Sequence, residues 1–409
     1  MAYNMSIKKE YIHNYLIVLL LFFITVNTTI SFLISFFILL LWFLNGNLKQ
    51  RLKTILHDKL SLTFLSLFLI NLIAILWSED IHDGLKILSK QKIYLFAPIL
   101  ISFMDKRYIK YALMGLFSSI FISEIYSVYL FISDKKHILE SSYSPFMHHM
   151  HYSLILAFTF AYMINHIDLK KNGKWLNISY ALFSFITIIT LFINKGRIGQ
   201  IAILPLLFIL LVKKFKLSYI RSFFTTIFLS IFIFISAYNF SSNFKARVKH
   251  AKLELTSYVK ENKRDSITCR FEMWRYAIKL GKKDPLIGIG TGDSIYEMTN
   301  LLGKKQFNKL FYDCGLGMKY QFNPHNNFVL YFMQFGIIGV ILLLFVIIYQ
   351  FKIASKLHST DIFLLLTVTL IGMMSTSLIS MHIKYMFFYA FTLSLLYLRD
   401  KDNLTIQRL

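Results

Sequence analysis

Long, uninterrupted apolar runs are the feature of this sequence that most limits its fold. The runs are about 17 to 25 residues long, the length that a helix needs to cross the roughly 30 Å hydrocarbon core of a bilayer. Apolar and polar residues do not alternate within them, as they would in the strands of a membrane β-barrel. Only 16% of the 409 residues are charged, whereas soluble domains have about 25%. The sequence therefore predicts an all-α, polytopic integral membrane protein with about twelve transmembrane helices.

The basic residues predict how these helices are oriented. Lys and Arg collect in cytoplasmic loops, which accounts for most of the formal net charge of +24. Both termini are expected in the cytoplasm. Within this topology the fourth helix is expected over about residues 85–104 and the eleventh over about 361–379. Because the charge is spread over short loops and not concentrated in a soluble basic domain, nucleic acid is not expected as a partner.

One long polar interval interrupts the apolar runs. It divides the chain into three predicted parts: residues 1–239 with helices one to nine, residues 240–326 as a large extracytoplasmic loop domain, and residues 327–409 with helices ten to twelve and a cytoplasmic tail. A membrane scaffold interrupted once by a basic domain favours presentation of that domain to a substrate at the bilayer surface. Both cysteines, Cys269 and Cys314, lie in this loop. The compartment permits a disulfide, but the sequence leaves the pairing open.

Arg197 is the first candidate functional residue. It lies in the segment Asn194-Lys195-Gly196-Arg197 between two apolar runs, on the side opposite to the basic loops. A charge in such a place is costly enough to suggest a role. The glycine allows close backbone approach, and a guanidinium can bind phosphate bidentately. The alternative is an interfacial arginine that only extends its charge into water.

A helix is predicted near the end of the large loop. Phe271, Trp274 and Ile278 fall on one stripe at helical spacing, which favours packing or interfacial anchoring over a platform for a sugar ring. Arg270 lies four residues before Trp274 and shares its face. Gly281 is expected to end this helix.

His325 opens the next apolar run. Pro324 before it marks a helix start, whose free N–H groups attract phosphate. A histidine there can act near pH 7 as a general base or donate a hydrogen bond to a phosphate oxygen. The alternative is a structural histidine.

Two further segments attract attention. His148 and His151 lie just before helix six and could line the donor or acceptor site. Neighbouring histidines on a short loop rarely converge on a metal, so no metal site is predicted.

The glycines of residues 288–292 look superficially like a phosphate loop, but the strand before it and the Lys-Ser/Thr pair of such a loop are missing. We expect these glycines to form a turn where the loop meets the membrane.

Together these motifs resemble the O-antigen ligase family, within a superfamily that also contains O-antigen and exopolysaccharide polymerases. Each motif alone is weak, but their order and spacing are specific. The residues that carry the resemblance are Gly196-Arg197, then Arg270, Trp274 and Ala277, then Pro285 to Gly290, then His325-Asn326, and last Gly336 to Gly339.

The resemblance implies a membrane glycosyltransferase of the type C-like architecture, located in the bacterial inner membrane with its active site facing the periplasm. Its donor would be an undecaprenyl-diphosphate-linked glycan, and neither a metal nor another cofactor would be needed. Ligases pass the glycan to lipid A–core, whereas polymerases pass it to another lipid-linked repeat. These lipids, and the surrounding membrane lipids, are the expected partners.

The resemblance also implies roles for particular residues. Catalytic roles fall to His325, Arg197 and Arg270. Substrate-binding roles fall to Lys195, Trp274, Arg275, Asn326, His148 and His151. The sequence departs from some relatives over Ser375–His382, which offers a histidine and no carboxylate, so no catalytic acid is assigned there.

Three functions compete at this point. The moderate length and the single dominant loop near the C-terminal end favour a ligase over a polymerase. A transporter of lipid-linked glycans would carry charged residues along a path through the bilayer. Glu124 is the main intramembrane candidate for such a path.

Overall fold

The computed structural model describes residues 2–133, 143–240, 244–246, 248, 249, 253, 266–314 and 322–406. Its regular structure in these ranges is helical, with two short 3-10 turns at Ala74–Trp77 and Lys106–Tyr108. The α-helices described in full are α1 (Ala2–Phe23), α2 (Thr28–Leu44), α3 (Leu48–His57), α4 (Lys59–Ile73), α5 (Ile81–Gln91), α6 (Ile93–Phe103), α7 (Ile109–Ser133), α8 (His149–His166), α9 (Lys174–Ile193), α10 (Arg197–Lys213), α11 (Tyr219–Phe240), α12 (Ser266–Gly281), α13 (Ser294–Leu302), α14 (Lys304–Asp313), α15 (Asn327–Lys356), α16 (Thr360–Ser375), α17 (Leu378–Met381) and α18 (Ile383–Ile406).

The lengths and compositions of these helices confirm a helical membrane protein. Within the described ranges, five helical stretches are long and apolar enough to cross a membrane: Lys59–Trp77, Lys106–Ser133, Lys174–Ile193, Tyr219–Asn239 and Asn327–Lys356. The pair α2 and α3, bent by 116°, would make a sixth span. Shorter apolar helices cover Tyr11–Phe23 and Thr360–Ser375. The predicted count of about twelve spans is not confirmed.

The predicted fourth span is one place where the count differs. The chain bends there at Lys92, so that α5 and α6 replace one continuous helix. The eleven residues of α6 reach only about 16 Å, which is half of the hydrocarbon core. Lys86 and Lys90 lie on α5, and such charges favour a helix outside the apolar layer.

Burial separates a protein core from lipid-facing surfaces. The middle of α8 and most of α18 are buried, including Tyr152 and Phe158 on α8 and Tyr385 and Phe388 on α18. In contrast, Phe228 on α11 is 69% exposed. Lipid tails are as apolar as such side chains, so they can remain on the outside of a membrane-spanning helix.

A second, smaller core lies between the first part of α15 and the helical arm, by which we mean residues 266–314 with α12, α13 and α14. A disulfide joins Cys269 at the start of α12 to Cys314 after α14. The buried face of α12 continues through Met273, Ala277 and Leu280. The predicted apolar stripe is therefore not the packing face: Phe271 is 50% and Ile278 38% exposed, while Gly281 ends the helix as predicted.

The glycine-rich segment after α12 packs against a break in α15. Gly336 has φ 60° and ψ −154°, which interrupts the helix and frees backbone groups for other partners. The N–H groups of Ile289 and Gly290 donate to the carbonyl oxygens of Met333 (3.0 Å) and Gln334 (2.9 Å). These bonds make the segment a backbone clamp that fixes the helical arm to the membrane domain.

The clamp allows a prediction about Gly288. Its φ is +67°, and a Cβ added there would lie 2.5 Å from the backbone carbon of Gln334. We expect Gly288→Ala to destabilise the protein by about 2–3 kcal/mol, through steric overlap with backbone that cannot move and through strain. Gly303→Ala is the matched control, because Gly303 has φ +74° with nothing within 4 Å of its Cβ position. Thermal unfolding in detergent measures the stability of both variants. Equal losses of stability in Gly288→Ala and Gly303→Ala would contradict the clamp.

Candidate active site

The starts of α8 and α10 lie against each other at one end of the membrane domain. A Cβ on Gly196 would lie 2.2 Å from Ser153 Cβ, and one on Gly199 only 2.1 Å from the Ser153 carbonyl oxygen. The Gly199 N–H donates to Ser153 Oγ at 3.2 Å. The glycines therefore permit the close backbone approach expected from the sequence, and they place Arg197 beside the histidine-rich start of α8.

Arg270 reaches this end of the domain from the helical arm. Its Nη1 donates to the carbonyl oxygen of Ser375 at 3.2 Å, and its Nη2 lies 4.0 Å from Met150 Sδ. Burial, and then the nearby charge of Arg197, lowers the pKa of Arg270 below its usual value. Arg197, the first residue of α10, is exposed, and Lys195 beside it is half-buried. Two guanidinium groups thus face one region from separate elements.

His325 lies in the same region, immediately before α15. It adopts φ 51°, and its backbone N–H donates to Asn323 Oδ1 at 2.8 Å. Burial, followed by the charges of Arg270 and His148, lowers the pKa of His325 to about 4. Its Nδ1 is sealed from solvent and has no hydrogen-bond partner among the described residues. The imidazole is therefore neutral at physiological pH.

Asn326 and Trp274 hold His325 in place. The Asn326 side-chain oxygen accepts the N–H groups of Phe328 (2.9 Å) and Val329 (3.2 Å) and so caps α15. These two N–H groups are occupied, which corrects the expectation that this helix start offers free donors to phosphate. Trp274 Nε1 donates to the carbonyl oxygen of Pro324 at 2.6 Å. Both side chains therefore position the turn that carries His325.

The remaining predicted residues divide between the site and the surface. The His148 and His149 rings lie 4.0 Å apart, and those of His148 and His151 5.6 Å apart, between ring centroids. His151 is buried, and its Nε2 has no hydrogen-bond partner within the described part of the chain. Arg275 is exposed and lies over the ring of Tyr276.

His382 completes the histidine cluster and was not among the predicted site residues. Its ring centroid lies 4.0 Å from that of His151, and its Nε2 lies 3.0 Å from Thr376 Oγ1. Burial, and then the charges of His325, His148 and Lys90, lowers the pKa of His382 to about 3. The sequence signal was the histidine of Ser375–His382, a polar segment inside an apolar region.

This segment is an ordered break between α16 and α18. The predicted eleventh helix ends early, at Ser375, and the short α17 follows. Asn327 Nδ2 donates to Ser380 Oγ at 2.7 Å, and Gln91 Nε2 donates to the Ser380 carbonyl oxygen at 2.7 Å. Asn326 Nδ2 donates to the Met374 carbonyl oxygen at 3.1 Å. Gln91 on α5, Arg270 on α12 and Asn326 before α15 therefore satisfy backbone carbonyl groups that the break leaves open.

The composition of the site is cationic, with neutral imidazoles beside the cations. Across the described ranges, no three His, Cys, Asp or Glu side chains converge in a way that could hold a metal ion. An arrangement of guanidinium groups next to a neutral imidazole can bind an anionic group and accept a proton beside it.

These features define an integral membrane protein with a cationic, histidine-lined site where a helical arm meets the ends of several helices. Residues 182–344 match the family model described as O-antigen ligase. This part of the chain is thus similar to the O-antigen ligase family, which confirms the resemblance predicted from the sequence. No curated protein matches the chain. The matched segment includes Arg197, Arg270 and His325, whereas His151 and His382 lie outside it.

Proposed function

We propose that this protein is an O-antigen ligase that transfers a glycan from undecaprenyl diphosphate to lipid A–core at the periplasmic face of the bacterial inner membrane. The family match supports ligase-type or polymerase-type activity in general. The observation that carries the proposal is the convergence of Arg197, Arg270 and His325 from three separate elements.

The proposed reaction breaks the bond between the sugar C1 and the diphosphate oxygen. Negative charge grows on the leaving diphosphate, and the guanidinium groups of Arg197 and Arg270 stabilise it. Neutral His325 accepts the proton of the acceptor hydroxyl, whose oxygen forms the new bond to C1. Undecaprenyl diphosphate leaves, and direct displacement inverts the configuration at C1.

The other predicted residues take supporting roles in this proposal. Lys195 lies two residues from Arg197 and adds positive charge near the diphosphate. Trp274 and Asn326 act by fixing the turn that carries His325. His148 and His151 line the site beside Met150, which Arg270 contacts. Arg275 is exposed, where only a large glycan extending from the site would reach it.

The envelope glycans of a deletion strain test this function. We expect lipid A–core to lose its full-length glycan on a gel while polymerised lipid-linked glycan accumulates, and expression of the wild-type chain to reverse both changes. Lipid A–core carrying a single repeat would instead show a polymerase. An unchanged profile would exclude both enzymes and favour a transporter or another exported glycan.

The lowered pKa of His325 predicts the pH dependence of transfer. The base works when neutral, so kcat/KM should fall with acid only below about pH 5, as the pH approaches the His325 pKa of about 4. The unfolded chain, with an ordinary histidine pKa near 6.5, binds more protons between about pH 6.5 and 4. The contribution of His325 to stability is therefore present above pH 6.5 and is lost as the pH falls through this window. A pH–rate profile with the purified protein measures the first effect, and an acid limb centred near pH 6.5 would contradict it.

A further inference from the structure

A groove between α1 and α7 lies outside the candidate active site. Its volume is about 640 Å³, and its lining combines aromatic rings with positive charge. The residues that matter here are four tyrosines and two cations: Tyr11, Tyr15, Tyr108, Tyr111, Arg107 and Lys110.

The groove is at the opposite end of the membrane domain from the site. Ser127, near the end of α7, accepts a hydrogen bond at 3.0 Å from Asn194, three residues before Arg197. Lys110 lies at the start of the same helix, 17 residues earlier, a distance of about 25 Å along an α-helix. A ligand in this groove therefore cannot also contact Arg197.

The tyrosines form one connected wall. The Tyr108 ring centroid lies 5.4 Å from that of Tyr15, 6.1 Å from that of Tyr11 and 6.2 Å from that of Tyr111. Tyr15 is 58% exposed and Tyr111 47% exposed, so both side chains are accessible to a ligand. Tyrosines prefer the level of the lipid head groups, where the ring is apolar and the hydroxyl is wet.

The two cations give the groove its selectivity. Arg107 donates from Nε and Nη2 to the Asp105 carboxylate and also interacts with the Tyr11 hydroxyl, and its side chain remains 70% exposed at the groove. Its Cζ lies 5.6 Å from the Tyr11 ring centroid, and Lys110 Nζ lies 4.8 Å from that of Tyr111. With Asp105 counted, these groups carry a net charge of about +1, which favours an anion.

We propose that this groove binds the head group of one anionic phospholipid from the cytoplasmic leaflet. Arg107 and Lys110 contact the phosphate, tyrosine hydroxyls donate to its oxygens, and an acyl chain runs along Val18, which lies one turn below Tyr15 on the same face of α1. Basic pockets between transmembrane helices on the cytoplasmic side select anionic lipids in this way. The site is independent of the proposed glycan transfer.

Native mass spectrometry of the purified full-length protein tests the site. The probes are phosphatidylglycerol and phosphatidylethanolamine with the same acyl chains. The wild-type protein should retain phosphatidylglycerol preferentially, and Arg107→Gln/Lys110→Gln should weaken that binding about tenfold or more while phosphatidylethanolamine binding stays unchanged. Lys170→Gln/Lys171→Gln, on an exposed loop away from the groove, is the matched control and should behave as wild type.

Three outcomes would overturn the proposal. Equal losses in both double variants would show a general attraction to a basic surface, and equal retention of the two lipids by the wild type would show an aromatic belt without a site. Tyr108→Phe is a second groove variant for the case that the double variant misfolds, because it removes only a hydroxyl group. We expect it to lower phosphatidylglycerol binding severalfold, and unchanged binding in both groove variants would also exclude the site.

Discussion

Replacing His325 by Asn should lower the rate of glycan transfer by about 10²- to 10⁴-fold, the usual contribution of a general base. The His325 imidazole lies close enough to Arg270 for the charge to lower its pKa, and with a pKa of about 4 it is neutral at physiological pH and has a lone pair that can accept a proton. Asn is the informative replacement because His325 adopts a positive φ of 51°. Asn tolerates this left-handed conformation better than other non-glycine residues, so folding is preserved. Transfer by purified protein, measured with a lipid-linked donor, gives the rate.

The chain offers a matched control for this variant. His358 is exposed and also adopts a left-handed conformation, with φ 50°, but it follows α15 at the end away from His325. His358→Asn therefore repeats the chemical change and the backbone demand without touching the site, and transfer should remain at the wild-type rate. If His325→Asn transferred glycan as fast as His358→Asn, His325 would not be the base.

Much of the helical pattern could be predicted because the membrane imposes length and polarity on each span. The predicted helix over about 109–132 is observed as Ile109–Ser133, and the pair that meets at Arg197 is observed on either side of it. The association of Arg197, Arg270 and His325 was predicted from the order of the motifs. No local sequence pattern predicts that segments so far apart in the chain come together. Their positions agree with that association; their chemical roles stay predictions.

The breaks in helices could not be predicted because apolar composition does not reveal where a backbone group leaves its helical hydrogen bond for a partner elsewhere in the chain. At Gly336 the helix opens only because residues 285–290 supply replacement partners from elsewhere in the sequence. After Ser375 the break depends on donors such as Gln91 and Arg270, which lie far from it in the sequence. His382 was missed as a site residue for the same reason, because it reaches the cluster only once the helix has ended.

Replacing Arg270 by Gln should lower kcat for transfer by about 10²- to 10³-fold, the usual effect of losing one charged or hydrogen-bonding group that stabilises a leaving anion. Arg270 meets the conditions for a large effect, since it is half-buried, close to Arg197 and fixed by Ser375. Arg270→Lys keeps the charge but loses the planar, two-pronged geometry, so we expect an intermediate loss of about tenfold. Because charge on the diphosphate grows as the C1–oxygen bond breaks, kcat should fall more than KM rises.

Lys279→Gln separates this effect from a general loss of positive charge on the helical arm. Lys279 is exposed on the same helix, α12, and removing its charge should leave transfer unchanged. The Arg197→Gln/Arg270→Gln double variant then shows whether the two guanidinium groups act on one ligand. If they share the diphosphate, the combined loss should differ from the product of the two single losses, because groups acting on one ligand are coupled. Losses that multiply independently would contradict a shared contact of the two arginines with the diphosphate.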